Sequence, residues 1–216
     1  MLIAGIDEAG RGPCIGPMMM AVASIEKSDE EKLLDIGVKD SKLLSPKERE
    51  RQFPLIKKAL REHIVVGIEP QEIDRLMVRK SLNEIEAMHA ARLLNGLEEK
   101  PEVVYVDSPD VVMAEFGKRI AKFISFPVKI ISEHKADLNY PVVSAASVIA
   151  KVERDKAIKK LSQEFGNVGS GYPGDDATIR FLRKYLLQHG SVPPFARNSW
   201  ETIKVMQEEK FQKKLF

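Results

Sequence analysis

The sequence predicts an α/β protein: a mixed sheet with helices on both faces, followed by a helical C-terminal portion. Three observations predict it. Short apolar runs that end in polar residues alternate with capped, helix-periodic segments as far as about residue 135. A loop dense in Gly, Pro and Asp, GNVGSGYPGDDAT, then interrupts the pattern at 166–178. Everything beyond that loop reads helical. With 216 residues there is room for one sizeable core. The expected division is a core over 1–165, with a loop and C-terminal helices over 166–216 packed on it.

The elements follow in order. LIAGID at 2–7 and MMMAVASI at 18–25 read as two adjacent strands flanking a Gly/Pro-rich turn. Ser28 with Glu31, and Ser45 with Pro46 and Glu48, read as capping boxes that open helices, the second of which Pro54 kinks or divides. IVVGIE at 64–69 is strand-like, and Ser81 with Glu84 caps a helix whose apolar face includes Ile85, Met88 and Leu93. EVVYVD at 102–107 is the clearest buried strand. Asp110 is expected to cap a helix reaching about residue 124, VKIIS at 128–132 to form a strand, and a long helix to span about 141–162. From about Ser199 an amphipathic helix offers Trp200, Ile203, Met206 and Phe211 to the core.

Composition narrows the function classes. Hydrophobic residues make up 44% and charged residues 31%, which excludes a disordered chain, and no apolar run is long enough to cross a membrane. No secretory signal pattern is visible, so a soluble cytoplasmic protein without membrane association is expected. The single cysteine, Cys14, rules out an internal disulfide and a cysteine-based zinc cage, and reads as a small packed residue. Net charge is only +2, so a polyanionic partner must be held by local features.

Those features are acids and a turn. Asp7 and Asp107 each end an apolar run, where a central sheet exposes side chains to a crevice; singly, each is equally a turn former or a helix cap. Glu8 follows Asp7 directly, and the chain continues as AGRGPCIGP instead of opening a helix. Clustered carboxylates without cysteine or a histidine pair favour hard cations such as Mg²⁺ or Mn²⁺ over zinc. A pair of such ions about 3.5 to 4 Å apart can drive in-line phosphoryl chemistry. Gly10, Arg11 and Gly12 let backbone N–H groups approach a ligand, although glycine turns also simply join strands. Ser144, Ser147 and Lys151 share one face of the long helix and either meet a phosphate backbone or, with Ala145, Ala146 and Ala150, allow close helix packing. Arg154 extends that stripe. His134 either serves a nearby acid or is merely packed or solvated.

Taken together, GIDEAGRGPCIGP at 5–17, VKDSKLLSP at 38–46, VDSP at 106–109, HKADLNYPVVSAASVIAKVERD at 134–155 and GSGYPGDDAT at 169–178 resemble the ribonuclease HII family, the last block its archaeal branch. The resemblance implies a ribonuclease-H-like fold. It also implies an endonuclease that hydrolyses the RNA strand of RNA/DNA hybrids and nicks 5′ of single ribonucleotides in duplex DNA, leaving 5′-phosphate and 3′-hydroxyl ends. In that family's pattern Asp7, Glu8, Asp107 and Asp137 match the metal-binding acids, with two Mg²⁺ or Mn²⁺ ions at work. Gly10, Arg11 and Gly12 match the loop that senses the 2′-hydroxyl, Tyr172 the tyrosine on the next sugar, and Lys42 a phosphate-binding lysine. The implied setting is ribonucleotide excision in DNA replication and repair, by a monomer. The terminal FQKKLF, through Gln212, Leu215 and Phe216, is similar to the start of a sliding-clamp-binding peptide. Two rivals stand beside this reading: another nuclease or transposase on the same kind of fold, and a non-catalytic nucleic-acid-binding module.

Overall fold

The computed structural model of the chain describes residues 1–38 and 44–212, with side chains as far as 209. Lys42, expected to meet a phosphate, lies outside the described residues, as do Leu215 and Phe216. Five strands form one sheet in the order β3-β2-β1-β4-β5, with β1 at Leu2–Ala9, β2 at Met18–Glu26, β3 at Glu62–Ile68, β4 at Val103–Asp107 and β5 at Lys129–Glu133. The sheet is mixed, as expected: β1 runs antiparallel to β2 and parallel to β4, and β4 parallel to β5.

The helices are α1 (Glu30–Ile36), α2 (Pro46–Ala59), α3 (Pro70–Met77), α4 (Leu82–Gly96), α5 (Met113–Ala121), α6 (Ala136–Asn139), α7 (Pro141–Phe165), α8 (Asp176–His189) and α9 (Glu201–Gln212). Ser45 and Ser81 close the capping boxes that open α2 and α4. Ser28 does not; a 3₁₀ turn occupies Lys27–Asp29 and α1 starts at Glu30. Pro54 sits inside α2 without dividing it. Asp110 is no cap either. It is buried, accepts from Arg119 Nε at 2.9 Å and pairs with Asn83, while α5 begins three residues later behind Val112. No helix among the described residues is long and apolar enough to cross a membrane.

Two compact units emerge, and neither is one continuous stretch of chain. The first comprises Met1–Ala9, Met19–Gly67 and Ser81–Glu153; the second comprises Gly10–Met18, Ile68–Lys80 and Arg154–Phe216. The second unit thus gathers the turn at 10–18, the segment around α3 and the end of α7 with the C-terminal part of the chain. In the first unit both faces of β1 are covered: Ile3, Ala4 and Ile6 are all buried. Pleating puts Ile3, Gly5 and Asp7 on one face. That face meets α7 so closely that a Cβ on Gly5 would lie 2.5 Å from backbone atoms of Val142 and Val143. Around this contact Ile3, Ala23, Ile25, Leu33, Ile56, Val142 and Ile149 join one core. The second unit has its own core, in which Cys14 and Ile15 pack with Val168, Leu182, Phe195 and Ile203.

Candidate active site

In the first unit, ladder geometry aims the acids. Ile6 on β1 pairs with Val106 on β4 in a parallel ladder, so the next residues along, Asp7 and Asp107, emerge side by side at the ends of adjacent strands. Asp107 shares its face of β4 with Val103 and Tyr105, which join the same core as α7, so both carboxylates turn to the α7 side. Asp107 Oδ1 accepts from the N–H of Ala136 at 3.1 Å, which anchors the turn carrying Asp137. Lys135 makes that turn with φ 57°, a left-handed conformation that side chains rarely adopt. Asp137 is buried. Glu8 is half-buried, and its N–H donates to Asp7 Oδ1 at 2.8 Å. Consecutive strand residues face opposite ways, so β1 by itself does not bring the Glu8 carboxylate beside Asp7.

Asp7 is the electrostatic centre of this group. Burial pushes its carboxyl up to about 6; the Lys151 ammonium, the Ser147 hydroxyl and the Glu8 N–H pull it back, and the Asp107 charge pushes it up again. Lys151 Nζ donates to Ser147 Oγ at 2.6 Å, forming a relay from ammonium to hydroxyl to carboxylate on one face of α7. Ser144, Ser147 and Lys151 read either as phosphate contacts or as part of close helix packing, and the two serines are packed. Ser147 is fully buried and serves Asp7, and Ser144 is buried and donates to the carbonyl of Val38; small residues on this face let α7 approach the sheet. Half-buried Lys151 supplies charge to the acids. His134 Nε2 bonds the carbonyl oxygen of Asp110 at 2.8 Å, a local structural role.

Among the described residues, no three His, Cys, Asp or Glu side chains are gathered closely enough to hold one ion between them. The assembled set is the Asp7 and Asp107 pair, with Asp137 tied in through the backbone of its neighbour. Its chemistry fits a hard divalent cation. The donors are carboxylate oxygens, and the buried Asp7 ionises against desolvation that Lys151 only partly offsets.

The second unit holds the glycine turn and Tyr172. Gly10 has φ 83°, and an added Cβ would lie 2.5 Å from Arg154 Nε. Cys14 is buried within the turn; its N–H and Sγ both donate to Gly171 O, at 2.8 and 3.4 Å. Asp175 ties the 169–178 loop together by accepting from the N–H and Oγ of Ser170 and from the N–H of Ala177, and these bonds hold its carboxyl down at about 2. Tyr172 is half exposed and borders the turn: a Cβ on Gly12 would lie 3.6 Å from its ring. Arg11 is half-buried and Gly12 exposed.

Sequence reasoning missed Arg197 and did not find the partner of Arg154. Arg197 is fully buried beneath the turn. Its Nη2 donates to Gly10 O (2.6 Å) and Gly16 O (2.9 Å), its Nη1 to Arg11 O (3.0 Å) and its Nε to Gly16 O (3.1 Å). Arg154, which extends the stripe of Ser144, Ser147 and Lys151, is buried and donates to Ile15 O at 3.0 Å. The available signal was an arginine standing directly after the apolar run Pro193 to Ala196.

The fold has counterparts among known proteins. The Ribonuclease HII family model matches residues 4–203. The chain belongs to the ribonuclease HII family. A ribonuclease HII of Thermococcus sibiricus is 47% identical over 213 residues, covering 99% of this chain and 94% of the relative. The crystal structure of ribonuclease H2 from Pyrococcus horikoshii aligns with a TM-score of 0.93 at 46% identity, over 99% of this chain and 100% of that one. A ribonuclease HII from Archaeoglobus fulgidus, solved in complex with PCNA, aligns with a TM-score of 0.85 at 39% identity, over 93% and 96%. The fold is therefore ribonuclease-H-like, and the enzyme is a ribonuclease H, a hydrolase of a family that cleaves the RNA of RNA/DNA hybrids.

Proposed function

We propose that the enzyme nicks duplex DNA on the 5′ side of a single embedded ribonucleotide, besides cutting RNA/DNA hybrids, and leaves 5′-phosphate and 3′-hydroxyl ends. The observation that carries this reading is the convergence of Asp7 and Asp107 on adjacent strand ends, with the turn of Asp137 bonded to Asp107. Asp7, Glu8, Asp107 and Asp137 would hold two Mg²⁺ or Mn²⁺ ions. Such ions, when bound, activate water and stabilise the leaving oxygen of an in-line displacement.

The chain's own residues do the rest. Lys151 and Ser147 keep Asp7 ionised near neutral pH against its burial. The Gly10-Arg11-Gly12 turn offers backbone donors to a 2′-hydroxyl, and Tyr172 packs on the neighbouring sugar, where one hydroxyl separates RNA from DNA. Lys42 is assigned to a phosphate. The setting is ribonucleotide excision during DNA replication and repair, in the cytoplasm, by a monomer.

A duplex carrying one ribonucleotide should be nicked at its 5′ side in the presence of Mg²⁺ or Mn²⁺, with the all-DNA control intact. Equal cutting of both duplexes would sink the proposal, and binding without turnover would favour a non-catalytic module. The relative solved with PCNA supports a sliding-clamp partner reached through Gln212, Leu215 and Phe216. Deletion of 210–216 should abolish retention on immobilised clamp; unchanged retention refutes that assignment.

A further inference from the structure

The carbonyl groups of the Gly10–Pro17 turn are drawn to the inside of the second unit. Arg197 takes those of Gly10, Arg11 and Gly16, its own N–H takes Cys14 O at 2.9 Å, Arg154 takes Ile15 O, and Trp200 Nε1 takes Gly12 O at 3.1 Å. Peptide units are planar, and no cis bond occurs among the described residues. In a trans unit the carbonyl and the N–H point in opposite directions. Turning Gly10 O and Arg11 O toward Arg197 therefore turns the N–H groups of Arg11 and Gly12 away from it. Gly12 and Gly16 precede Pro13 and Pro17, which carry no N–H, so holding their carbonyls hides no donor. Tyr172, half exposed, borders the turn at Gly12.

We propose that Arg197, assisted by Trp200, is a positioning residue for ribose recognition: it fixes the turn so that the N–H groups of Arg11 and Gly12 face a 2′-hydroxyl as a preset pair of donors. This rests on the reading of the turn as the 2′-hydroxyl sensor. A planar guanidinium suits the task, because one rigid fork reaches three carbonyls, whereas a lysine ammonium is a compact point charge. Holding it there is costly. Burial, and then the charge of Arg154, lower the guanidinium to about 9. The Trp200 ring stacks 4.7 Å from the guanidinium carbon and limits its movement.

The test uses the full chain with Arg197→Lys. Three quantities are measured: melting temperature, kcat/KM for nicking a duplex with one ribonucleotide, and affinity for the all-DNA duplex. A mispositioned turn should lower kcat/KM by about 100-fold. Affinity for all-DNA duplex should stay within twofold of wild type, because that binding does not use the turn. A folded variant with wild-type kcat/KM, or with both quantities reduced in parallel, overturns the proposal. If Arg197→Lys does not fold, Trp200→Phe decides, since it keeps a ring on the guanidinium and deletes only the donor to Gly12 O. The expected loss is about fivefold in kcat/KM, comparable to one hydrogen bond, with all-DNA affinity unchanged. No loss overturns the proposal. Wild-type enzyme that cuts both duplexes equally refutes the reading of the turn itself; a wild type that discriminates beside a variant that does so equally refutes only the role of Arg197.

Discussion

Ala9 and Gly10 are consecutive, yet the residues before and after that bond are held by different means. In the first unit, Asp7 and Asp107 are aimed by the β1/β4 ladder, a repeating arrangement whose register leaves little to individual side chains. In the second unit, the Gly10–Pro17 turn has an isolated bridge between Ile15 and Ala196, and most of its carbonyls are satisfied by Arg154, Arg197 and Trp200. The direction of the two carboxylates is therefore set by the ladder, while the turn depends on side chains up to 188 positions away. Reactive groups gain from rigid strand ends. On the proposed reading the turn senses one hydroxyl, which takes irregular backbone braced by side chains.

Three substitutions sharpen that contrast. Asp7→Asn should have the largest effect on activity, a loss of about 10³-fold or more in nicking rate, equivalent to about 4 kcal/mol of transition-state stabilisation. Its effect on stability should run the other way. The folded Asp7 carboxyl sits at about 6 against an ordinary value of 3.8. The folded state thus holds this proton more tightly than the unfolded state, and stability contributed below pH 4 is lost as pH rises to about 6. The full difference is about 3 kcal/mol. Denaturant titrations of chelator-treated protein from pH 4 to pH 8 should show this decline in wild type and a flatter profile in Asp7→Asn. An unfolded or strongly destabilised variant would instead make Asp7 structural.

Gly5→Ala tests the ladder side. The new methyl would meet backbone atoms of α7 at 2.5 Å, which no rotamer change relieves, so a loss of about 3 kcal/mol or more is expected in thermal unfolding. Gly10→Ala tests the braced side. Its φ of 83° and the Arg154 side chain at 2.5 Å should cost about 2 kcal/mol. Nicking should fall more than stability explains, because the turn must shift off Arg154. If Gly10→Ala proved more disruptive to stability than Gly5→Ala, the rigid element would be the turn and the contrast would be reversed.

Much of the first unit was legible because local rules and tertiary packing agree there. EVVYVD reads as a buried strand and forms one, and Ser45 with Glu48 and Ser81 with Glu84 form the expected capping boxes. Ser28 with Glu31 has the same spacing yet opens no helix, because β2 runs on to Glu26 and a 3₁₀ turn follows directly. Asp110 also looked like a cap. It went instead to Arg119 and Asn83, partners 9 and 27 residues away that local spacing does not reveal.

By itself the sequence determined the α/β class, the strands that end in Asp7 and Asp107, and the oxygen-rich donor set, because these follow from periodicity, strand length and side-chain chemistry. Through its motifs it also carried the likeness to ribonuclease HII. Only the tertiary structure decided that Ser144 and Ser147 face inward, that Lys151 compensates Asp7, and that Arg154 and Arg197 lie beneath the glycine turn. The physical reason is range. Periodicity reports what each residue does to its near neighbours, whereas a buried cation is fixed by carbonyls that the chain brings to it from far along its length.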